Sequence, residues 1–351
     1  MRIFTCQVCG QLVYFENTLC TRCSGELGFD PGTMGMRSLV LGPDGVFAAP
    51  DGSQWRGCGN AAHDACNWLL PSDEPQGSLC EACRLNRTIP DLSVGDNLAR
   101  WKRIELAKRR LVYALKRFGL PLASQVEDAR RGLAFDFLAD TGRDGAVMTG
   151  HDDGLITINI TEADDAERER IRTTMGEPYR TLLGHFRHEV GHYYWDLLVH
   201  DGGRLEESRA LFGDEREDYQ QAIERHYEQG PPPDWQERHV SAYATMHPWE
   251  DFAETWTHYL HIVDTLDTAA SFGLGVDPAV IDDPALSARV TFDPYRAAGI
   301  EPLIEAWLPL TYAVNSLNRS MGQPDLYPFV LSEPAIGKLA FIHDLVRRGA
   351  A

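Results

Sequence analysis

A chain of 351 residues, 43% of them apolar, can bury the core of one large domain with something small beside it. Its formal charge of −19 excludes a general nucleic-acid or anionic-membrane surface, since those partners need a cationic face that releases counterions. No stretch nears the roughly 18 to 20 apolar residues that span a bilayer. The N-terminus Met-Arg-Ile-Phe-Thr-Cys lacks the apolar centre of a secretion signal, so the expectation is a soluble, cytoplasmic protein.

All eight cysteines fall between Cys6 and Cys83, a clustering that suggests metal-binding thiolates rather than disulfides spread through a secreted fold. Cys6-Gln-Val-Cys9 and Cys20-Thr-Arg-Cys23 have the spacing of a zinc ribbon, in which two CxxC knuckles converge into a tetrahedron. Cys58, Cys66, Cys80 and Cys83 make a second quartet, with His63 as an alternative to Cys58 or Cys66. Four protein ligands leave no open position for a substrate, so both sites are assigned to folding, with recognition of a protein partner as the functional alternative. Residues 1–90 hold six Lys or Arg against nine Asp or Glu, which disfavours phosphate binding and favours protein contacts.

The linker Arg87-Thr-Ile-Pro-Asp-Leu closes this region and places a domain boundary near residue 90, dividing the chain into 1–90 and 91–351. A helical pattern runs from Asn97 to Phe118 and carries the basic run Lys102, Arg103, Lys108, Arg109, Arg110, Lys116 and Arg117, expected as a solvated face. Leu155 to Ile160 alternates Ile156, Ile158 and Ile160 with Thr157 and Asn159, the period of a half-buried strand. Its free edge is a candidate site for adding a substrate backbone.

The segment Tyr179 to His200 is a proline-free helical pattern containing His188-Glu189-Val-Gly-His192, an HExxH sequence. Residues four apart share a helical face, so His188 and His192 can converge on one Zn²⁺ while Glu189 addresses a metal-bound water. A catalytic zinc takes a third protein ligand. The continuation HExxHxxGxxH fails, because Trp195 and Leu198 stand where Gly and His are required. A second helical stretch, Pro248 to His261, offers Glu250 and Glu254 one turn apart on one face, with Trp249, Phe252 and Trp256 too apolar for a free surface helix. One carboxylate would bind metal and the other would stand behind it, accepting the second ring N–H of a histidine. Asp251 points about 100 degrees away. His185, His258 and His261 lie on stripes that could approach the metal and are read as supporting or structural.

HEVGH paired with a downstream Glu-Asp-Phe-Ala-Glu resembles a gluzincin. The run Tyr179 to Trp195, with Cys-Arg-Leu-Asn-Arg-Thr-Ile-Pro-Asp91 before it, is similar to the bacterial zinc-binding metallopeptidases that carry an N-terminal zinc ribbon. The resemblance implies Glu250 as the third ligand, Glu254 as the carboxylate behind it, and Tyr243 as a hydrogen-bond donor to the oxyanion. It also implies an α+β fold: a mainly helical zincin-like metallopeptidase domain with a small sheet, preceded by a small double zinc-ribbon region.

The expected activity is zinc-dependent hydrolysis of a peptide or isopeptide bond, with Glu189 as general base, one catalytic and two structural Zn²⁺, and a protein or peptide substrate. The competing readings are a zinc-ribbon adaptor whose zincin-like domain only binds, and an amidase acting on a non-peptide substrate. An intact Glu189 weighs against the adaptor.

Overall fold

The computed structural model describes residues 2–140, 147–175 and 179–349. The fold is α+β, mainly helical with small sheets. Two compact units form it, one from Met1–Arg117 with Leu122–Asp165, the other from Phe118–Pro121 with Ala166–Ala351. Compactness therefore divides the chain well after the linker near residue 90.

In the first unit, β1 (Phe4–Thr5) and β2 (Leu12–Val13) form a short hairpin. An antiparallel meander follows: β3 (Glu26–Asp30), β4 (Gly35–Leu41), β5 (Phe47–Ala48), β6 (Gln54–Gly57) and β7 (Leu69–Pro71), paired in chain order. Leu39, Ala49 and Leu69 form its core, with Phe47 and Trp55 against them. Gly28 lets Leu69 pack closely on β3, since a Cβ there would stand 2.6 Å from Leu69 Cδ2 and force that side chain to move.

Next come β8 (Asn86–Thr88), α1 (Asn97–Phe118), β9 (Ala134–Leu138), β10 (Gly150–Asp152) and β11 (Leu155–Asn159). The sheet order is β10-β11-β9-β8. The alternation expected for β11 is present, with Ile156 and Ile158 fully buried. Its free edge is not: β11 pairs antiparallel with β10 and parallel with β9, so both rows of backbone groups are already used.

The basic run on α1 also departs from expectation. Lys108 is fully buried and Arg109 nearly so. Lys108 donates to Glu105 at 3.0 Å and to Asn86, and Arg109 donates to Asn67. Arg110 binds Glu16 and Lys116 binds Glu81. Tyr113 of α1 completes an aromatic cluster with Phe15, Phe29 and Trp68. Much of this face fastens α1 to the cysteine-rich region because buried cations must find acceptors.

The second unit is helical: α2 (Asp165–Met175), α3 (Leu182–Trp195), α4 (Leu205–Phe212), α5 (Tyr219–Gln229), α6 (Pro248–Phe272), α7 (Glu301–Ser320) and α8 (Glu333–Gly349), with a two-stranded ribbon of β12 (Gly275–Val276) and β13 (Ala288–Arg289). The Thr181 hydroxyl accepts from Gly184 N at 2.9 Å and so starts α3 later than Tyr179. After Trp195 the helix widens into one π turn, Asp196–His200. Pro248 opens α6 and Gly273, at φ +64°, ends it.

Phe252, Ala253, Trp256, Leu260 and Val263 run along α6 at helical spacing, and all are fully buried. Helix α3 crosses this stripe where Gly191 meets it. A Cβ on Gly191 would lie 3.1 Å from Ala253 Cα and 3.2 Å from Trp256 Cδ1. The glycine inside HEVGH thus lets the two helices approach closely, and Tyr194 stacks on Trp256 one turn further on.

Candidate metal centre

His188 and His192 project from α3 toward the first turn of α6, which carries Glu250. One ligand atom from each of the three residues lies within 4.8 Å of the others. His188 Nε2 is 2.9 Å from Glu250 Oε2, and His192 Nε2 is 3.5 Å from Oε1. Two imidazole nitrogens and one carboxylate oxygen are a donor set suited to zinc.

The residues around this group hold it in place. His188 Nδ1 lies 2.8 Å from Glu254 Oε1, and Glu254 Oε2 accepts from the Ser241 hydroxyl at 2.6 Å. The Trp249 ring lies against His192, with centroids 3.8 Å apart. Tyr219, the first residue of α5, donates from its hydroxyl to Glu250 Oε1 at 2.9 Å. His247 Nδ1 accepts from Trp249 N and caps α6, while its Nε2–H donates to Glu217 O at 3.1 Å, just before α5.

Burial alone would raise the Glu250 carboxyl, but His192, His188 and Tyr219 bring it down to about 2. For His188, burial disfavours the charge and the hydrogen bonds to Glu250 and Glu254 outweigh it, so the ring is raised well above its ordinary value. A cation is therefore favoured between these carboxylates. Burial, reinforced by Glu250, pushes the Tyr243 phenol upward and keeps it a donor. Burial and then Glu250 do the same to Tyr219.

Both cysteine quartets are assembled. In the first, Cys6 Sγ is 3.8 Å from Cys23 Sγ and Cys9 Sγ is 3.6 Å from Cys20 Sγ. Each knuckle closes with a left-handed residue, Gly10 at φ +71° and Ser24 at φ +58°. In the second, Cys58, Cys66, Cys80 and Cys83 are all buried. Burial pushes the Cys66 and Cys80 thiols up, so four thiolates there require a divalent cation's charge. His63 is not part of this quartet; its ring packs against Trp101.

The model of the family described as "Putative zinc-binding metallo-peptidase" matches residues 97–345, and a zinc-ribbon domain matches residues 3–94. The chain belongs to this metallopeptidase family. Uncharacterised proteins of Mycobacterium bovis and of two Mycobacterium tuberculosis strains are each 45% identical over 347 residues, covering 99% of this chain and 95% of their own length. No solved structure gives a significant match. The family, the cysteine quartets and the His/Glu group together make this a zinc-binding protein. No helix among the described residues is long and apolar enough to cross a membrane.

Of the residues expected at a metallopeptidase centre, His188, His192, Glu250 and Glu254 meet, and the Tyr243 ring stands 6.0 Å from that of His188. Asp251 turns away to Lys338 of α8. His258 binds the Tyr327 hydroxyl at 2.7 Å and His261 faces Arg187. Neither these two nor His185 belongs to the three-residue group. Tyr219, Ser241 and Trp249 were not foreseen in these roles. Trp249 adjoins Glu250 in sequence, whereas nothing in the spacing of Tyr219 relates it to Glu250.

Proposed function

We propose that the chain is a zinc-dependent hydrolase of peptide or isopeptide bonds, with His188, His192 and Glu250 as metal ligands. The observation that carries this is His188 held between two carboxylates, Glu250 at Nε2 and Glu254 at Nδ1. Bound zinc would supply a Lewis acid that acidifies water and polarises the scissile carbonyl. Glu254 accepts the Nδ1–H of His188, fixing the tautomer that leaves Nε2 free to ligate. Trp249 fixes the His192 ring plane. Glu189 takes a proton from the attacking water and passes it to the leaving amine. Tyr243, kept protonated, donates to the oxyanion that forms.

On this reading the chain holds three zinc ions, one at the His/Glu group and one at each quartet, and works in a reducing compartment such as the cytoplasm. The ribbons, residues 1–90, fold around their zinc and present a surface for a protein partner, ahead of a metallopeptidase domain from residue 91.

Glu189→Gln tests the mechanism. It preserves shape and removes the proton acceptor, so cleavage should fall on the order of 100-fold or more while the metal stays. Incubating wild type and variant with a proteome and mapping new N-termini reads the difference. Equal, non-empty sets of new termini exclude Glu189 as the base; no new termini from wild type excludes peptide-bond cleavage and favours an isopeptidase, the adaptor or a non-peptide amidase.

A further inference from the structure

The Glu250 carboxylate is almost fully buried, and its two oxygens have different neighbours. Oε2 meets His188 Nε2 at 2.9 Å, whereas Oε1 lies 3.5 Å from His192 Nε2 and accepts the Tyr219 hydroxyl at 2.9 Å. Besides this hydrogen bond, the phenol has other neighbours that place it. Asp218 caps α5 by accepting from Gln221 N at 2.9 Å, and the Tyr219 ring packs against His247 at 5.3 Å and Trp249 at 6.2 Å.

A carboxylate can bind a metal through one oxygen or two. A catalytic zinc keeps one position for water beside three protein ligands, and a carboxylate gripping through both oxygens would compete for that position. Buried carboxylate oxygens need hydrogen-bond donors, and an oxygen that already accepts from a phenol is a poorer metal ligand.

We propose that Tyr219 is a positioning residue that keeps Glu250 a one-oxygen ligand, so that the open coordination position stays open. This rests on the reading of His188, His192 and Glu250 as a zinc site. It assigns Tyr219 a role distinct from that of Tyr243, since it acts on the ligand and not on the substrate. Loss of the Tyr219 hydroxyl would release Oε1 to the metal, so metal affinity and access to the metal should move in opposite directions. A merely structural tyrosine would weaken both.

The test uses the full chain with both ribbon zincs retained, the chelatable metal being replaced by Co²⁺, in wild type and Tyr219→Phe. Phenylalanine keeps the ring of a residue that is 38% exposed, and circular dichroism together with ribbon zinc content reports on the fold. The expected result is Co²⁺ affinity equal to or above wild type, visible bands weakened toward those of a five-coordinate ion, and affinity for acetohydroxamate reduced by about 10-fold or more. Unchanged bands and unchanged acetohydroxamate affinity overturn the proposal while leaving the metal site intact. A loss of Co²⁺ affinity of about 10-fold or more also overturns it, showing that the phenol merely supports the ligand. Failure of wild type to take up Co²⁺ at all would remove the zinc-site reading itself.

Discussion

His188 Nδ1 and Glu254 Oε1 lie 2.8 Å apart, while the other nitrogen of the same ring meets Glu250, one helical turn earlier. The two glutamates therefore have separable effects. Glu250→Ala should lose the chelatable zinc almost completely. Glu254→Ala should weaken it by roughly 10- to 100-fold, leaving a partly active enzyme. Chelator-competition titrations of the two variants check this; the reverse ranking would make Glu254 the ligand and Glu250 its support.

The two cysteine quartets should differ in lability. Cys23 is exposed and Cys9 partly so, whereas all four sulfurs of the second quartet are buried, with Glu105 next to Cys83. Elemental analysis should give about three zinc per chain, and graded treatment with a thiol reagent should release the first-quartet zinc before the second. Simultaneous release, or release from Cys58–Cys83 first, would contradict the burial argument.

Gly191 should tolerate little enlargement. Gly191→Val would force α3 away from Ala253 and Trp256, because its Cβ would meet them at 3.1 and 3.2 Å. Overpacking of this kind costs about 1–3 kcal/mol. The expected outcome is a lower melting temperature for the second unit and weaker retention of the chelatable zinc, with both ribbon zincs kept. Unchanged zinc retention would mean that the close crossing does not set the distance between His192 and Glu250.

His151 makes the first unit sensitive to mild acid. Burial, only partly opposed by Asp152 and Asp153, pushes its imidazole down to about 4 from 6.5. Between those values the unfolded chain takes up a proton that the folded chain refuses, so stability falls as pH drops from about 6.5 to about 4 and this contribution is flat below. At about 1.4 kcal/mol per pH unit the upper bound is about 3 kcal/mol, lowered by the water that reaches the half-buried ring. His151→Gln should flatten this interval in denaturant titrations. Subtracting the variant from wild type cancels acid loss at the thiolate sites, and parallel curves would sink the assignment.

What the sequence made legible follows from local geometry. His188, Glu189 and His192 sit within one helical turn, where spacing alone fixes the shared face. Glu250 and Glu254 could be found because an apolar helix needs a reason to carry two acids on one side. Tyr219 could not, since its place depends on how residues 213–247 turn back toward α6, which no periodicity encodes. Lys108 and Arg109 were misread because a charge pattern shows the cations and not their acceptors: Glu105 is close in sequence, but Asn67 and Asn86 reach α1 only through the tertiary fold. Leu155 to Asn159 announced a strand but not its neighbours, and an edge is a property of the sheet.

His247 gives the centre a mechanical property as well as a chemical one. A single ring starts the helix that bears Glu250 and, through its opposite nitrogen, grips the backbone from which Tyr219 departs. Any guest that pries α5 outward must pull against the end of α6. Through this one imidazole a displacement of α5 is coupled to the helical turn that carries Glu250.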